Sequence, residues 1–163
     1  MERQKGDLLL SWQKKPVGVY LGGLNYYNFK SSIVINLPPK YLKVVFYTED
    51  SLSGADLKGA DLKGANLKGA NLRNVNLYVA NLSGADLTRA DLSAANLRGA
   101  VLYDTNLRFA CLTGTNLEYA DLTGTNLGNA DLECANLYGA NLRSANLYGA
   151  NLYGANLSGA NLY

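Results

Sequence analysis

Apolar and polar positions recur along most of the chain with a period of five. Leucine occupies every fifth position from Leu52 to Leu162 without a gap. Ala usually precedes each Leu by two positions and Asn or Asp by one, while a variable residue and most often Gly follow, as in ADLKG at 55–59 and ANLYG at 150–154. This period matches neither the 3.6 residues of a helical turn nor the two-residue repeat of a strand. A single helix or strand would therefore scatter the leucines over all its faces.

The period predicts short extended sides joined by turns. Four pentads would close a square coil of about 20 residues with Leu and Ala inside, and coils would stack through parallel backbone hydrogen bonds. The Leu-x-Gly-Ala junction is the expected turn, since a type II turn needs positive φ at its third residue, which Gly adopts without steric cost. Asn74, Asp104 and Asn129 are expected to tolerate this conformation, whereas Val79 and Phe109 predict a different turn.

Residues 1–50 have a different composition, with all three prolines and the only tryptophan. Apolar runs at 17–21, 33–37 and 42–47 predict short strands. We therefore divide the chain into an N-terminal β-rich capping segment, residues 1–50, and a repeat region, residues 51–163, and expect the run at 42–47 to cover the first coil. The stretch 27–31 fits the five-residue template with Phe in place of Leu, so it is either a degenerate coil or a coincidence.

The repeats resemble the pentapeptide-repeat family, whose motif A(N/D)LXX matches residues 51–163. The resemblance implies an all-β fold, a right-handed quadrilateral parallel β-helix (solenoid), here of about five and a half coils with a non-repeat N-terminal cap. It also implies a non-enzymatic binding or scaffold protein. The best understood branch of the family binds DNA gyrase, forms dimers through its C-terminal ends and imitates DNA with a strongly acidic surface.

The charge of the repeats disfavours DNA mimicry. The whole chain has 15 Lys and Arg against 13 Asp and Glu, but residues 51–163 have eight basic against nine acidic side chains. A DNA mimic needs a continuous negative track, which a nearly neutral surface lacks. The predicted function is therefore a non-catalytic scaffold or protein interaction module of unidentified role. A gyrase-binding or nucleic-acid-directed protein is the disfavoured alternative.

Catalytic and metal-binding residue types are scarce. The chain has no histidine, which excludes a Ser-His-Asp triad, a Cys-His pair and His-containing zinc sites. Cys111 and Cys134 fall at offset positions on one side, so no disulfide is expected between them. Thr105, Thr115 and Thr125 fall at inward positions without a base to activate them, so they are expected to fill volume and bond to the backbone. No enzyme activity, cofactor or metal is expected.

Four cations at the same outward position form a candidate anion-binding belt around one coil. The belt consists of Lys58, Lys63, Lys68 and Arg73. The alternative is a solvated surface that keeps a β-rich rod soluble, and it is favoured because Asp56 and Asp61 lie beside the belt and no aromatic residues interleave with it. Nucleic acid is accordingly not expected as a partner.

Tyrosines mark a candidate interface on the last coil. Tyr148, Tyr153 and Tyr163 fall on three of its sides. Tyrosine is enriched both on β surfaces and at protein interfaces, so stacking propensity alone is the alternative explanation. Unpaired backbone groups on an end coil are a template for another chain, which predicts a homodimer through this coil besides an unidentified protein partner. Neither a signal-peptide core nor a membrane-spanning stretch is evident, so a cytoplasmic protein is expected.

Overall fold

The computed structural model describes residues 18–21, 42–45 and 52–163. The N-terminal part contributes two antiparallel strands, β1 (Gly18–Leu21) and β2 (Leu42–Val45), with Gly18 opposite Val45 and Leu21 opposite Leu42. Both fall inside apolar runs that predict strands. The third run, 33–37, and the stretch 27–31 lie outside the described residues. The capping role of residues 1–50 stays a prediction.

Residues 52–163 form a parallel β-helix of stacked square coils. Parallel bridges join the Asn/Asp positions 20 residues apart, beginning with Asp56 and Asn76 and ending with Asn141 and Asn161. No helix occurs in the ranges that the structure describes. Short extended segments and turns therefore alternate along the whole repeat region, as the five-residue period predicts.

The four sides of the coil are numbered here from one complete turn. Side 1 contains residues 70–74, side 2 residues 75–79, side 3 residues 80–84 and side 4 residues 85–89, each with its equivalents 20 residues away. In each side, Leu and the residue two positions before it point inward; that residue is Ala except at Val75, Thr105, Thr115 and Thr125. The Asn/Asp residue between them, the variable residue and the corner residue form the outer surface.

Backbone hydrogen bonds fix the stacking of each side. On side 4, the Leu87 N–H donates to the carbonyl oxygen of Asn106 in the next coil at 2.8 Å, and the Asn106 N–H donates back to Ala85 at 2.9 Å. The turn closes inside the coil, where the Ala90 N–H donates to the Leu87 carbonyl oxygen at 2.9 Å. Each side thus satisfies its buried backbone groups through the coils above and below it and through the turn within its own coil.

The interior is a column of leucines and small residues. Every repeat Leu from Leu62 to Leu137 is at most 1% exposed. Burying one such side chain contributes about 1.5–3 kcal/mol, so the column is the main cohesive term. Thr105, Thr115 and Thr125 are fully buried, and their hydroxyls donate to backbone carbonyl oxygens at 2.6–2.8 Å. Their predicted role as inward, backbone-bonded volume fillers is confirmed.

The corners use one conformation whatever residue occupies them. Corner glycines have φ between 63° and 71°, and ten other residues reach 50–61° at equivalent corners. Val79 (φ 50°) and Phe109 (φ 57°) are among them, so the prediction of a different turn there is wrong. Their N–H groups donate to the next coil at 3.0 and 3.1 Å. Keeping that register outweighs the roughly 1–2 kcal/mol that a side chain costs in the left-handed region.

Candidate interaction surfaces

A ladder of Asn and Asp side chains covers the outside of every side. The Oδ1 atom of Asp56 accepts the Lys58 N–H at 3.2 Å and the Nδ2 group of Asn76 from the next coil at 2.9 Å. An ionised carboxylate accepts hydrogen bonds but cannot donate one. Two Asp side chains stacked in adjacent coils would therefore share no hydrogen bond and would place two negative charges in contact. No two Asp residues stack in the described ladder, and where Asp91 and Asp131 are two coils apart, Cys111 lies between them.

The four cations of the predicted belt are exposed but separated. Lys58 lies on side 2, Lys63 on side 3, Lys68 on side 4 and Arg73 on side 1, so each side holds one of them. The Lys58 Nζ lies 5.3 Å from the centroid of the Tyr78 ring, and the Arg73 Nη1 lies 3.1 Å from Asp91 Oδ2. The belt does not converge on one point, and anion binding by it stays a prediction.

The three tyrosines of the predicted interface protrude from the C-terminal coil, residues 144–163. Tyr148 on side 4, Tyr153 on side 1 and Tyr163 on side 3 are 81%, 76% and 97% exposed. The rings therefore lie exposed on three of the four sides, and their role as an interface stays a prediction. Leu162 beside them is 46% exposed.

The backbone of this coil also has free hydrogen-bonding groups. The Leu142 N–H donates to the Asn161 carbonyl oxygen at 2.7 Å, but the equivalent groups of Leu147, Leu152 and Leu157 find no backbone acceptor among residues 52–163. Their side chains are only half-buried. An open row of donors next to apolar side chains is the arrangement that an added strand or coil can cover.

Side 2 carries a closed cluster in which every charge has a partner. The Arg98 Nε lies 3.4 Å from Glu118 Oε2, and the Asn136 Nδ2 donates to Glu118 Oε1 at 2.7 Å. Tyr119 and Tyr138 meet edge to face with centroids 5.5 Å apart. Desolvation, then the neighbouring Tyr138 and Glu118, raise the pKa of Tyr119, while Arg98 opposes the shift.

Side 4 carries an open cluster that the sequence analysis missed. Phe109, 46% exposed, has two guanidinium groups near its ring, with the Cζ of Arg108 at 5.1 Å and that of Arg89 at 5.9 Å from the ring centroid. Neither guanidinium has a carboxylate within ion-pair distance among the described residues. Aligning the repeats at 20-residue spacing brings Arg89 next to Phe109, so this alignment is the sequence feature that could have predicted the cluster.

Side 1 carries a hydrogen-bonded row of small polar groups. The Ser93 hydroxyl donates to Asp91 Oδ1 at 2.5 Å and lies 3.1 Å from the Cys111 Sγ. Partial burial raises the pKa of Asp91, but hydrogen bonds from Ser93 and Arg73 and the Arg73 charge together lower it below its usual value. Cys111 and Cys134 are both free thiols. The part of the chain that is described holds no group of three metal-ligating side chains.

A family model described as pentapeptide repeats matches residues 51–78, 80–118 and 120–159 in eight copies. The chain belongs to the pentapeptide-repeat family. Its all-β, right-handed quadrilateral β-helix agrees with the solved structures to which it is similar, and the recognised family and the predicted fold class are confirmed. The described residues contain no helix that is long and apolar enough to cross a membrane.

Solved structures of other pentapeptide-repeat proteins resemble this one. Rfr23 from the cyanobacterium Cyanothece 51142 is 36% identical over 69% of this chain and 87% of its own, with a TM-score of 0.55. A thylakoid lumen protein from Arabidopsis thaliana is 29% identical over 64% of this chain and 63% of its own, with a TM-score of 0.44. QnrB1, a plasmid-mediated fluoroquinolone resistance protein, is 27% identical over 66% of this chain and 60% of its own, with a TM-score of 0.41. No curated protein matches the chain.

Proposed function

We propose that this pentapeptide-repeat protein is a non-catalytic scaffold that works by binding other proteins. Its interior is filled by Leu, Ala, Thr and Val75, so recognition has to use the outer surface and the end of the solenoid. Solenoids present extended surfaces of this kind to their partners. The observation that carries the proposal is the C-terminal coil, where exposed tyrosines surround half-buried leucines with free backbone donors.

The same coil supports homodimer formation, end to end. Two coils of one kind offer each other matching apolar ends, and each can accept hydrogen bonds from the other's free N–H groups. Tyrosine suits such a contact because it supplies a large, rigid area at low entropic cost. A dimer would cover Leu147, Leu152 and Leu157, which a single chain leaves half-buried.

Light scattering of the full chain at rising concentration tests the dimer. We expect the mass to rise from 17.5 kDa toward twice that value. Joint replacement of Tyr148, Tyr153 and Tyr163 by Ser is expected to keep the chain monomeric, while Tyr103→Ser, at an exposed side 3 position away from the end, serves as the matched control. A mass of 17.5 kDa at all concentrations would contradict association through this coil.

A gyrase-directed or nucleic-acid-directed role is the competing function, and a separate assay distinguishes it. Inhibition of gyrase supercoiling would support the first, and a salt-sensitive shift of DNA mobility that the belt cations control would support the second. We expect neither, because cations and carboxylates are nearly balanced in residues 51–163.

A cytoplasmic location belongs to the scaffold proposal and is tested by fractionation of the native host. One relative comes from the thylakoid lumen.

A further inference from the structure

The fixed charges of the β-helix are distributed unevenly among its sides. Side 4 carries three cations and one carboxylate, whereas side 1 carries one cation and three carboxylates. Side 2 is balanced, and side 3 has one carboxylate in excess. The near-neutral total therefore conceals one basic side. Its charged residues are Lys68, Arg89, Arg108 and Asp86.

The one carboxylate of side 4 accepts hydrogen bonds from a neighbouring residue, whereas the two guanidinium groups of that side have no carboxylate partner among the described residues. Asp86 accepts hydrogen bonds from the backbone N–H and the hydroxyl of Thr88, at 3.0 and 2.5 Å. Arg89 and Arg108 have only the ring of Phe109 as a cation–π partner and no carboxylate among the described residues. By contrast, Arg73 and Arg98 on sides 1 and 2 are both in ion pairs.

The corner of side 4 departs from Gly in three successive coils, at Arg89, Phe109 and Asn129, all with positive φ. On side 2 the corner alternates instead: Val79 is followed 20 residues later by Gly99, where an added Cβ would lie 3.2 Å from the Val79 Cγ1. Gly thus makes room for the preceding corner side chain. On side 4 that relief is absent between Arg89 and Phe109, and the two side chains pack on each other. Strain without local compensation often accompanies a binding function.

We propose that side 4 binds an acidic protein segment, with Phe109 as the apolar anchor and Arg89 and Arg108 as the paired charges. Guanidinium groups bind carboxylates through paired hydrogen bonds, and an exposed aromatic ring beside them adds apolar contact to the same partner. An extended chain that places Glu, Leu and Glu at alternate positions presents all three side chains on one face. The inference rests on the scaffold function, for which it names a partner chemistry, but not on the dimer.

Fluorescence anisotropy with a labelled peptide tests the proposal. The probe carries Glu, Leu and Glu at alternate positions separated by Ser, and the control peptide has Lys in place of Glu. Wild type is expected to bind the acidic probe, more weakly as salt rises, and not the basic control. Joint replacement of Arg89 and Arg108 by Ser is expected to weaken binding about tenfold, while Arg143→Ser on side 3 leaves it unchanged.

Phe109→Gly separates binding from folding. Gly suits the positive φ of this corner, so the melting temperature is expected to stay equal or rise. Binding of the acidic peptide is nevertheless expected to weaken by about threefold or more. Val79→Gly, which relieves the same strain on side 2, is the matched control and should leave binding unchanged.

Three outcomes would overturn the inference. They are failure of wild type to bind the acidic probe, equal loss of binding in Val79→Gly and Phe109→Gly, and tighter binding of duplex DNA that the same arginines control. The readouts also separate this site from the C-terminal coil, because the tyrosine variant that abolishes dimerisation is expected to bind the acidic peptide normally. Peptide binding without self-association would contradict the dimer alone.

Discussion

The central coils and the C-terminal coil follow the same five-residue template but differ in burial. Leu97 is fully buried, while Leu157, three coils further on side 2, is only half-buried. Ala120 is 1% exposed, while Ala160 on side 3 is half-buried. The residue types match, so the difference comes from the neighbouring coils. In this solenoid, the burial of a Leu is set by what stacks on its coil, and the C-terminal coil is the surface that the proposed dimer would cover.

The largest expected effect is a charge in the leucine column. Leu107→Asp would bury an unpaired carboxylate where the wild-type side chain is fully buried, so we expect a loss of about 4 kcal/mol or more and unfolding of several coils. Leu157→Asp, in the C-terminal coil, can reach solvent and should lose about 1 kcal/mol. Thermal melts followed by circular dichroism measure both variants. Equal melting temperatures would refute the inward assignment of the central leucine.

The Asn/Asp ladder gives the next effect. Asn76→Asp would remove the donor to Asp56 and put two carboxylates in contact, which should cost about 1–2 kcal/mol at pH 7. Asn156→Asp in the C-terminal coil loses only a hydrogen bond to Asn136, so its cost should be smaller. Urea unfolding at fixed pH compares the two variants. If the C-terminal variant lost as much as the central one, like-charge contact would not govern the ladder.

The smallest effect concerns an exposed ion pair between central coils. The folded-state pKa of Asp91 is lowered, so the ionised Asp91 carboxylate stabilises the fold at pH values above its unfolded pKa. This stabilisation is lost as the pH falls through the folded-state pKa. Because the pair is largely solvated, Asp91→Asn should cost only a few tenths of a kcal/mol at pH 7. Stability measured from pH 7 down to acid should show the difference from wild type vanish. A stability difference between Asp91→Asn and wild type that persisted in acid would show that packing, and not the ion pair, causes it.

The sequence predicts the fold because Leu, and Asn or Asp before it, recur at fixed positions of the five-residue repeat. The uninterrupted leucines define the interior, and the Asn/Asp positions define a register of 20 that the bridges confirm. Two of the predicted strands contain β1 and β2, but their antiparallel pairing was not predicted, since nothing in either run selects its partner.

The failures arise where stacking overrides local preference. Val79 and Phe109 disfavour positive φ on their own, yet neighbouring coils hold them in it. Grouping the cations by coil predicted the belt around one coil near the N-terminal end of the repeats. Grouping them by side, which follows from the same register, shows the Arg89, Phe109 and Arg108 cluster. The outward tyrosines of the last coil were placed correctly because their positions need only the register.

Hydrogen exchange measured at several protein concentrations tests the central claim most directly. The N–H groups of Leu87 and Leu107 donate to the next coil, so they should exchange slowly at every concentration. Those of Leu147, Leu152 and Leu157 should exchange fast in dilute solution and become protected as the concentration rises. Fast exchange of these three amides at all concentrations would contradict the account of the C-terminal coil as a surface that a second coil covers.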